Sequence, residues 1–485
     1  PSGTRTKEAI VITKRDFLRS MGIGVTGLAA GKAVGDEPVA SKSRLPAGSV
    51  GDPKNPSFGR NIFPLEPTLT DGPSCRIENG EVFEPAHRIP VFHETDVVVV
   101  GGGSAGFAAA IAARRAGAKV ALVERYGSLG GLFTNGMVLI MLSDCRKEAG
   151  GDWTLVTRGV CGEFMHRAYA MGADVSTFEP AKTGNKKNLQ PTVDPEGAKY
   201  LMDTMIRESG VEMFFHSWGV DVIQDGNTVM GVVFESKQGR QAILAKQIVD
   251  CSGDADMLFR AGGDYRQITH SIGHDVLLAN MDRVKEGSKT PEERPRKWPT
   301  RSNTANKSMW WGNVRVPPLD RPGNGLDIRE LSRAEMEFRQ FWWEEVREMR
   351  KTPGWEEVYI AATTSQIGPR ATRLVDTDLI VDRKAIADGK LGDETIGWFG
   401  HDGAHAAWAV PYRAIVPKKV ENLLCAGRCL GAGDTIDTFR LICPCFVTGQ
   451  AAGVAAALSV RKGTSPRLLA YSDLRSELLK QEVFL

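Results

Sequence analysis

The chain has 485 residues, 42% hydrophobic and 25% charged, the proportions of an ordinary globular protein, which excludes a disordered, fibrous or low-complexity chain. Its 61 basic and 59 acidic residues leave a formal charge of +2, too balanced for nucleic acid to be the expected partner. There are 53 glycines, about 11% of the chain against a usual ~7%, so many backbone sites call for positive φ or close approach.

In chain order, the motif Thr13-Lys14-Arg15-Asp16-Phe17-Leu18-Arg19 resembles the twin-arginine export signal, with Lys14 in place of the first arginine. A short apolar stretch over 21–30 follows, so 1–40 is expected to be a signal that sends the folded protein to the periplasm or outside. An amphipathic N-terminal helix is the alternative. Residues 41–93 read as a linker ending in a small hairpin, with Glu78-Asn79-Gly80-Glu81 as its turn. Nowhere do about 18 apolar residues run together, so no transmembrane helix is expected. The eight cysteines contain no CxxC pair; buried thiols, rather than a metal site, are expected.

Asp96-Val97-Val98-Val99-Val100 is a β-branched run, as in a buried parallel strand. It leads into Gly101-Gly102-Gly103-Ser104-Ala105-Gly106 and an alanine-rich helix over 107–116. A second strand over 119–123 ends at Glu124. This is the full dinucleotide-binding pattern. Gly101 permits the turn, Gly103 admits a pyrophosphate and Gly106 lets helix and strand approach. Ser104 and Ala105 supply amides at the helix start, and Glu124 accepts ribose hydroxyls.

Arg125 and a second glycine-rich loop, Gly127-Ser128-Leu129-Gly130-Gly131, with Thr134 just beyond, suit a cofactor longer than a nicotinamide dinucleotide. These residues resemble the glutathione-reductase-like flavoproteins, and most closely the bacterial FAD-dependent oxidoreductases. Three further blocks carry the resemblance. From Val211 on, strands that include Val220, separated by turns at 225–227 and 238–240, suggest a β-meander, and a separate buried strand over 247–250 runs into Cys251-Ser252-Gly253-Asp254-Ala255-Asp256. Asn422-Leu423-Leu424-Cys425-Ala426-Gly427-Arg428-Cys429 forms the second block. The third is the stretch over 440–445 followed by Gly449-Gln450-Ala451-Ala452-Gly453, expected to open the last helix. The resemblance implies FAD, with that helix N-terminus aimed at the flavin; no His or Cys lies beside the Gly130-Gly131 loop, so the cofactor is expected to be held non-covalently. No second strand–GxGxxG–helix unit is present for a nicotinamide cofactor.

Between 264 and 410 the composition shifts to Trp, Arg, Glu and Pro, with an irregular segment over 291–322. An amphipathic helix is expected over 331–349, with Ser332 and Glu335 at capping-box spacing. Trp310-Trp311 and Trp342-Trp343 suit either stacking on a sugar-like ring or packing of a cap. Arg370 and Arg373 resemble the family's paired arginines, and bind either a ligand carboxylate or carboxylates at a domain interface. His274, His401 and His405 invite a catalytic reading; His401 or His405 would take a hydroxyl proton while hydride moves to flavin N5. Arg413 and Arg440 are candidates for stabilising negative charge, with Asp434 and Asp437 as possible ion-pair partners. HxxxH without a third ligand does not predict a metal.

The expected fold is α/β: a Rossmann-like FAD domain assembled from 94–140, 192–262 and 411–470, an inserted α+β substrate or cap domain over 141–191 and 263–410, and a C-terminal helix over 471–485. The expected function is hydride transfer from a small sugar-like alcohol or hydroxy acid to FAD, with an unknown electron acceptor and a homo-oligomer left open. The alternatives are a reductase of activated double bonds, fumarate-reductase-like, and a non-catalytic flavin-binding subunit.

Overall fold

The structure is a computed structural model, described over residues 75–142, 145–284, 304–313, 322–400 and 407–485. The export motif, most of the linker, and His401 and His405 lie outside the described residues. The small hairpin forms from β1 (Arg76–Glu78) and β2 (Glu81–Phe83), with Asn79 and Gly80 at positive φ in the turn.

A seven-stranded sheet organises the molecule. It comprises β3 (Val91–Val100), β4 (Val120–Val123), β5 (Glu212–Phe214), β6 (Trp218–Asp225), β7 (Thr228–Ser236), β8 (Gly239–Asp250) and, much later in the chain, β14 (Leu423–Cys425). The order is β5-β4-β3-β8-β7-β6, with β14 also on β8. β3, β4, β5, β8 and β14 run parallel, whereas β6 and β7 form an antiparallel meander with β8. Sequence reading separates the meander from a buried strand at 247–250, but β8 is one strand of 12 residues doing both jobs. Its first half pairs with β7, and its last three residues pair with β14. β3 accompanies it from Ala242 to Asp250, across one bulge between Ala242 and Ile243.

Val97–Val100 of β3 are buried on both faces: Val97 and Val99 pack into the core that includes α1 (Ser104–Arg115) and α4 (Ile442–Lys462), and Val98 and Val100 into a second core with Val232, Phe234 and Leu258. α1 and α4 pack against each other and both touch the sheet, α2 (Pro195–Ser209) flanks α1, and Ser104–Ala113 are all buried. The helices meet backbone to backbone. A Cβ on Gly449 would stand 2.0 Å from the Ala105 carbonyl oxygen, and one on Gly453 2.1 Å from that of Ala109. α4 is long and apolar enough to cross a bilayer, contrary to the sequence expectation, but its apolar window is wholly buried in the core.

The inserted region has its own core. β9 (Asp275–Ala279) is flanked by β10 (Trp310–Asn313) and β11 (Tyr359–Thr363). The strand β10 falls inside the segment expected to be irregular. Against this sheet packs α3 (Ile328–Met349), through Ala334, Phe338, Trp342, Val346 and Met349. The helix starts three residues before its expected N-terminus. Asp327 caps it, accepting from the amides of Arg329 (2.8 Å) and Glu330 (3.2 Å). Ser332 instead donates to the Ile328 carbonyl one turn back, so no capping box forms there. Trp342 is core, Trp343 is exposed, and Trp310 meets Trp355 edge to face. A hairpin of β12 (Thr395–Gly400) and β13 (Ala407–Pro411) follows, and α5 (Tyr471–Lys480) closes the chain.

Candidate active site

The carboxyl ends of β3, β4, β8 and β14 converge, the place where open α/β sheets bind ligands. β3 ends in Gly101, whose amide donates to the Val123 carbonyl at 2.8 Å. Gly101 has φ +98°, and a Cβ there would stand 2.4 Å from the Cys251 carbonyl oxygen; only glycine fits. Gly106 serves packing, since its Cβ would lie 1.7 Å from the Gly101 oxygen. At Gly103, by contrast, the nearest atom to an added Cβ is 4.0 Å away. The first bond of α1 runs from the Phe107 amide to the Gly103 carbonyl, so the amides of Ser104, Ala105 and Gly106 have no acceptor within the helix.

A long cleft passes these amides. Gly101, Gly103, Ser104, Ala105, Glu124, Arg125, Gly130, Gly131, Ser252, Gly253, Gly427 and Arg428 all line it. Glu124 is buried, and its two oxygens accept from the amides of Gly102 (2.6 Å) and Tyr126 (2.8 Å). Burial pushes its carboxyl upward, against those two hydrogen bonds. Arg125 lies over Tyr126, 4.9 Å from the ring centroid, and 5.8 Å from that of the exposed Trp218.

Beneath the 251–256 loop is Asp250, fully buried at the end of β8. It accepts from the Ser252 amide (3.0 Å) and hydroxyl (2.6 Å), and from the amides of Met257 (2.9 Å) and Leu258 (3.1 Å). Burial nevertheless pushes its carboxyl up to about 6, and Asp256 adds to the shift. Arg428 locks this loop to the insert: Nε donates to the Gly253 carbonyl, Nη1 to the Pro369 carbonyl, and Nη2 pairs with Asp254 at 2.7 Å. Arg373 pairs with Asp256 at 2.8 Å, so it binds interface carboxylates.

Several expected cofactor residues lie off the cleft lining. Gly449, Gln450 and Ala451 sit two turns into α4 instead of opening it. Gly449 faces α1, and the Gln450 amide oxygen accepts from the Val160 amide at 3.0 Å. The helix actually opens at Ile442, and Ile442 and Cys445 line the cleft. Thr134 turns inward to donate to the Leu129 carbonyl. Along β6 it is Trp218 and Gly219 that reach the cleft, beside Val220. Sequence reasoning also missed Gln366, which arrives from the insert after the backbone amides of Ser365 and Gln366 bond to the Asn135 carbonyl.

A second cavity of ≈ 500 Å³ adjoins the cleft, and Leu132, Arg428, Arg440 and Ile442 line both. Arg370, Asp275, Asp437 and Trp311 line it as well. Arg370 donates to the Ser271 hydroxyl at 2.6 Å. Arg440 pairs with Asp437 at 2.8 Å, while its buried Nε has no hydrogen-bond partner among the described residues. Burial pushes Asp437 upward, but the hydrogen bond and charge of Arg440, with His270 and Arg370, hold it below the usual carboxylate range. His270 faces Asp437 at 3.2 Å, and burial lowers its pKa.

Two other sequence candidates lie elsewhere. Arg413 is exposed and pairs with Glu394 at 3.0 Å, lining neither cavity. His274 is buried in the core of the insert and stacked on Phe338, its pKa pushed down to about 4 by burial, with Arg339 adding to the shift. Asp434 pairs with Arg383.

The cleft fits FAD: helix amides wait for a pyrophosphate beside a glycine with open space over it, and a buried carboxylate stands where ribose hydroxyls would donate. Residues 96–478 match the model of the FAD dependent oxidoreductase family. Dihydrolipoyl dehydrogenase of Trypanosoma brucei brucei is 54% identical over 46 residues, a tenth of either chain. Among solved structures, a geranylgeranyl bacteriochlorophyll reductase-like protein of Thermoplasma acidophilum is 13% identical with a TM-score of 0.42, covering 81% of this chain and 84% of that one. For p-nitrophenol 4-monooxygenase of Pseudomonas putida the values are 13%, 0.42, 80% and 84%. The chain belongs to the FAD-dependent oxidoreductase family, an enzyme whose cofactor is FAD.

Proposed function

We propose that the enzyme oxidises a small polar substrate held in the second cavity. The observation that carries this reading is the shared wall: Leu132, Arg428, Arg440 and Ile442 border both the cofactor cleft and the cavity, so a molecule in one lies against a molecule in the other. FAD, when bound, supplies a two-electron acceptor that takes a hydride from carbon. The chain's own part is to hold the substrate and receive its hydroxyl proton. Asp275 is buried and lines the cavity, and it takes the role of proton acceptor that sequence reading gives to His401 or His405. Arg440 and Arg370 orient the substrate and offset negative charge as the proton leaves. The motif at 13–19 supports export of the folded protein, and replacing Lys14 and Arg15 together should retain it in the cytosol.

The test is anaerobic reduction of the bound flavin by a panel of polar metabolites, repeated with Asp275→Asn. The variant should keep its FAD and be reduced about 10²- to 10⁴-fold more slowly. Reduction at the unaltered rate would remove Asp275 from the mechanism. It would favour the reverse chemistry, reduction of an activated double bond, which the cationic Nε of Arg440, without an acceptor among the described residues, also suits.

A further inference from the structure

Resting on that reading of the cavity, we infer that its substrate is an amphipathic monocarboxylate, bound through Arg440 and Arg370 with its apolar body against Val138, Ile140 and Leu441.

Charge and hydrogen bonding supply the first half of the argument. Of the three arginines that line the cavity, Arg428 is spent, its donors committed to Gly253, Pro369 and Asp254. Arg440 is not. One Nη bonds to Asp437, but Nε is buried with no acceptor among the described residues, and a charged donor left without one is costly. Arg370 faces the same space from the insert, so a ligand acceptor placed there meets two guanidinium groups.

The remaining lining supplies the second half. Val138, Ile140, Leu441 and Trp311 give the cavity an apolar wall that a polyol would leave unused. A second carboxylate on the ligand would meet Asp275 or Asp437 and be repelled. One carboxylate, an apolar body and an oxidisable hydroxyl near Asp275 describe a hydrophobic 2-hydroxy acid. A sugar and a dicarboxylate are both disfavoured.

The experiment titrates the FAD-loaded enzyme anaerobically with 2-hydroxyoctanoate, its methyl ester and malate, following the visible spectrum of the flavin. The free acid should bind about tenfold or more tighter than the ester or malate, as expected for a charge-assisted hydrogen bond. Arg440→Gln and Arg370→Gln should each weaken the acid about 10- to 100-fold while leaving the ester nearly unchanged. Ester or malate binding as tightly as the acid, or no binding of the acid, would overturn the assignment. If a variant loses FAD, the three-ligand comparison on the unaltered enzyme decides. Bleaching by the ester alone would overturn the substrate class and leave hydride transfer standing. Binding of the acid without bleaching would uphold the class and overturn the oxidation.

Discussion

Two glycines of one motif should fail in different ways when each is given a methyl group. At Gly106 the new Cβ would stand 1.7 Å from the Gly101 oxygen and 3.2 Å from the Cys251 Cβ. No side chain can swing aside there, because the nearest atom is backbone, so α1 must lift from the sheet. Overpacking of this kind costs about 3 kcal/mol or more, roughly 3–5 °C in melting temperature for a folded chain of this size. At Gly103 the backbone, φ −66° and ψ −176°, suits alanine, and the nearest atom is 4.0 Å away. Gly103→Ala should therefore lose at most about 1 kcal/mol as an altered helix cap. Its methyl would instead project where a pyrophosphate must approach, weakening FAD about 10- to 100-fold. Melting of the apoprotein by calorimetry and FAD titration by flavin fluorescence separate the two effects. A Gly103→Ala protein with unaltered FAD affinity, or a Gly106→Ala protein with unaltered melting, would refute the division of labour.

Breaking the Arg428 clasp should be severe. Arg428→Met leaves the partly buried Asp254 without its cation, costing about 2–3 kcal/mol in urea unfolding, and FAD should leave at lower denaturant than from the unaltered protein. The buried His274 and Asp250 predict opposed pH effects. His274 has its pKa lowered from 6.5 to about 4, so its contribution is present above the unfolded value and is lost as pH falls through 6.5 towards 4. Asp250 is raised from 3.8 to about 6, so its contribution is present below 3.8 and is lost as pH rises through 6. Each amounts to about 3 kcal/mol. His274→Leu should uncover the Asp250 slope, with stability relative to the unaltered protein falling as pH rises from about 4 to 6.5. A difference independent of pH would refute this.

The β3–α1–β4 unit is legible because its signals are local: a valine run, closely spaced glycines, and an acid at the end of the next strand. The start of α4 is not. Gly449 and Gly453 look in sequence like the opening of a helix beside a ligand, yet they are where two helices touch, and a glycine reads the same in either use. The cavity was less legible still, since Val138, Asp275, Trp311, Arg370 and Arg440 come from distant segments. Chemistry drew attention to His274, just before β9, but successive residues of an extended chain face opposite ways. His274 turns into the core of the insert and its neighbour Asp275 lines the cavity.

The contact between α1 and α4 also sets an order of assembly. Ala105 and Gly449 touch across more than two thirds of the chain's length, and the cleft takes walls from both helices. A ribosome that has made the fingerprint has not yet made Ile442 or Cys445, so the emerging chain cannot hold its flavin during most of its synthesis. Cofactor capture is therefore a late, post-translational event. An enzyme truncated before α4 should be an apoprotein with much of its sheet already encoded.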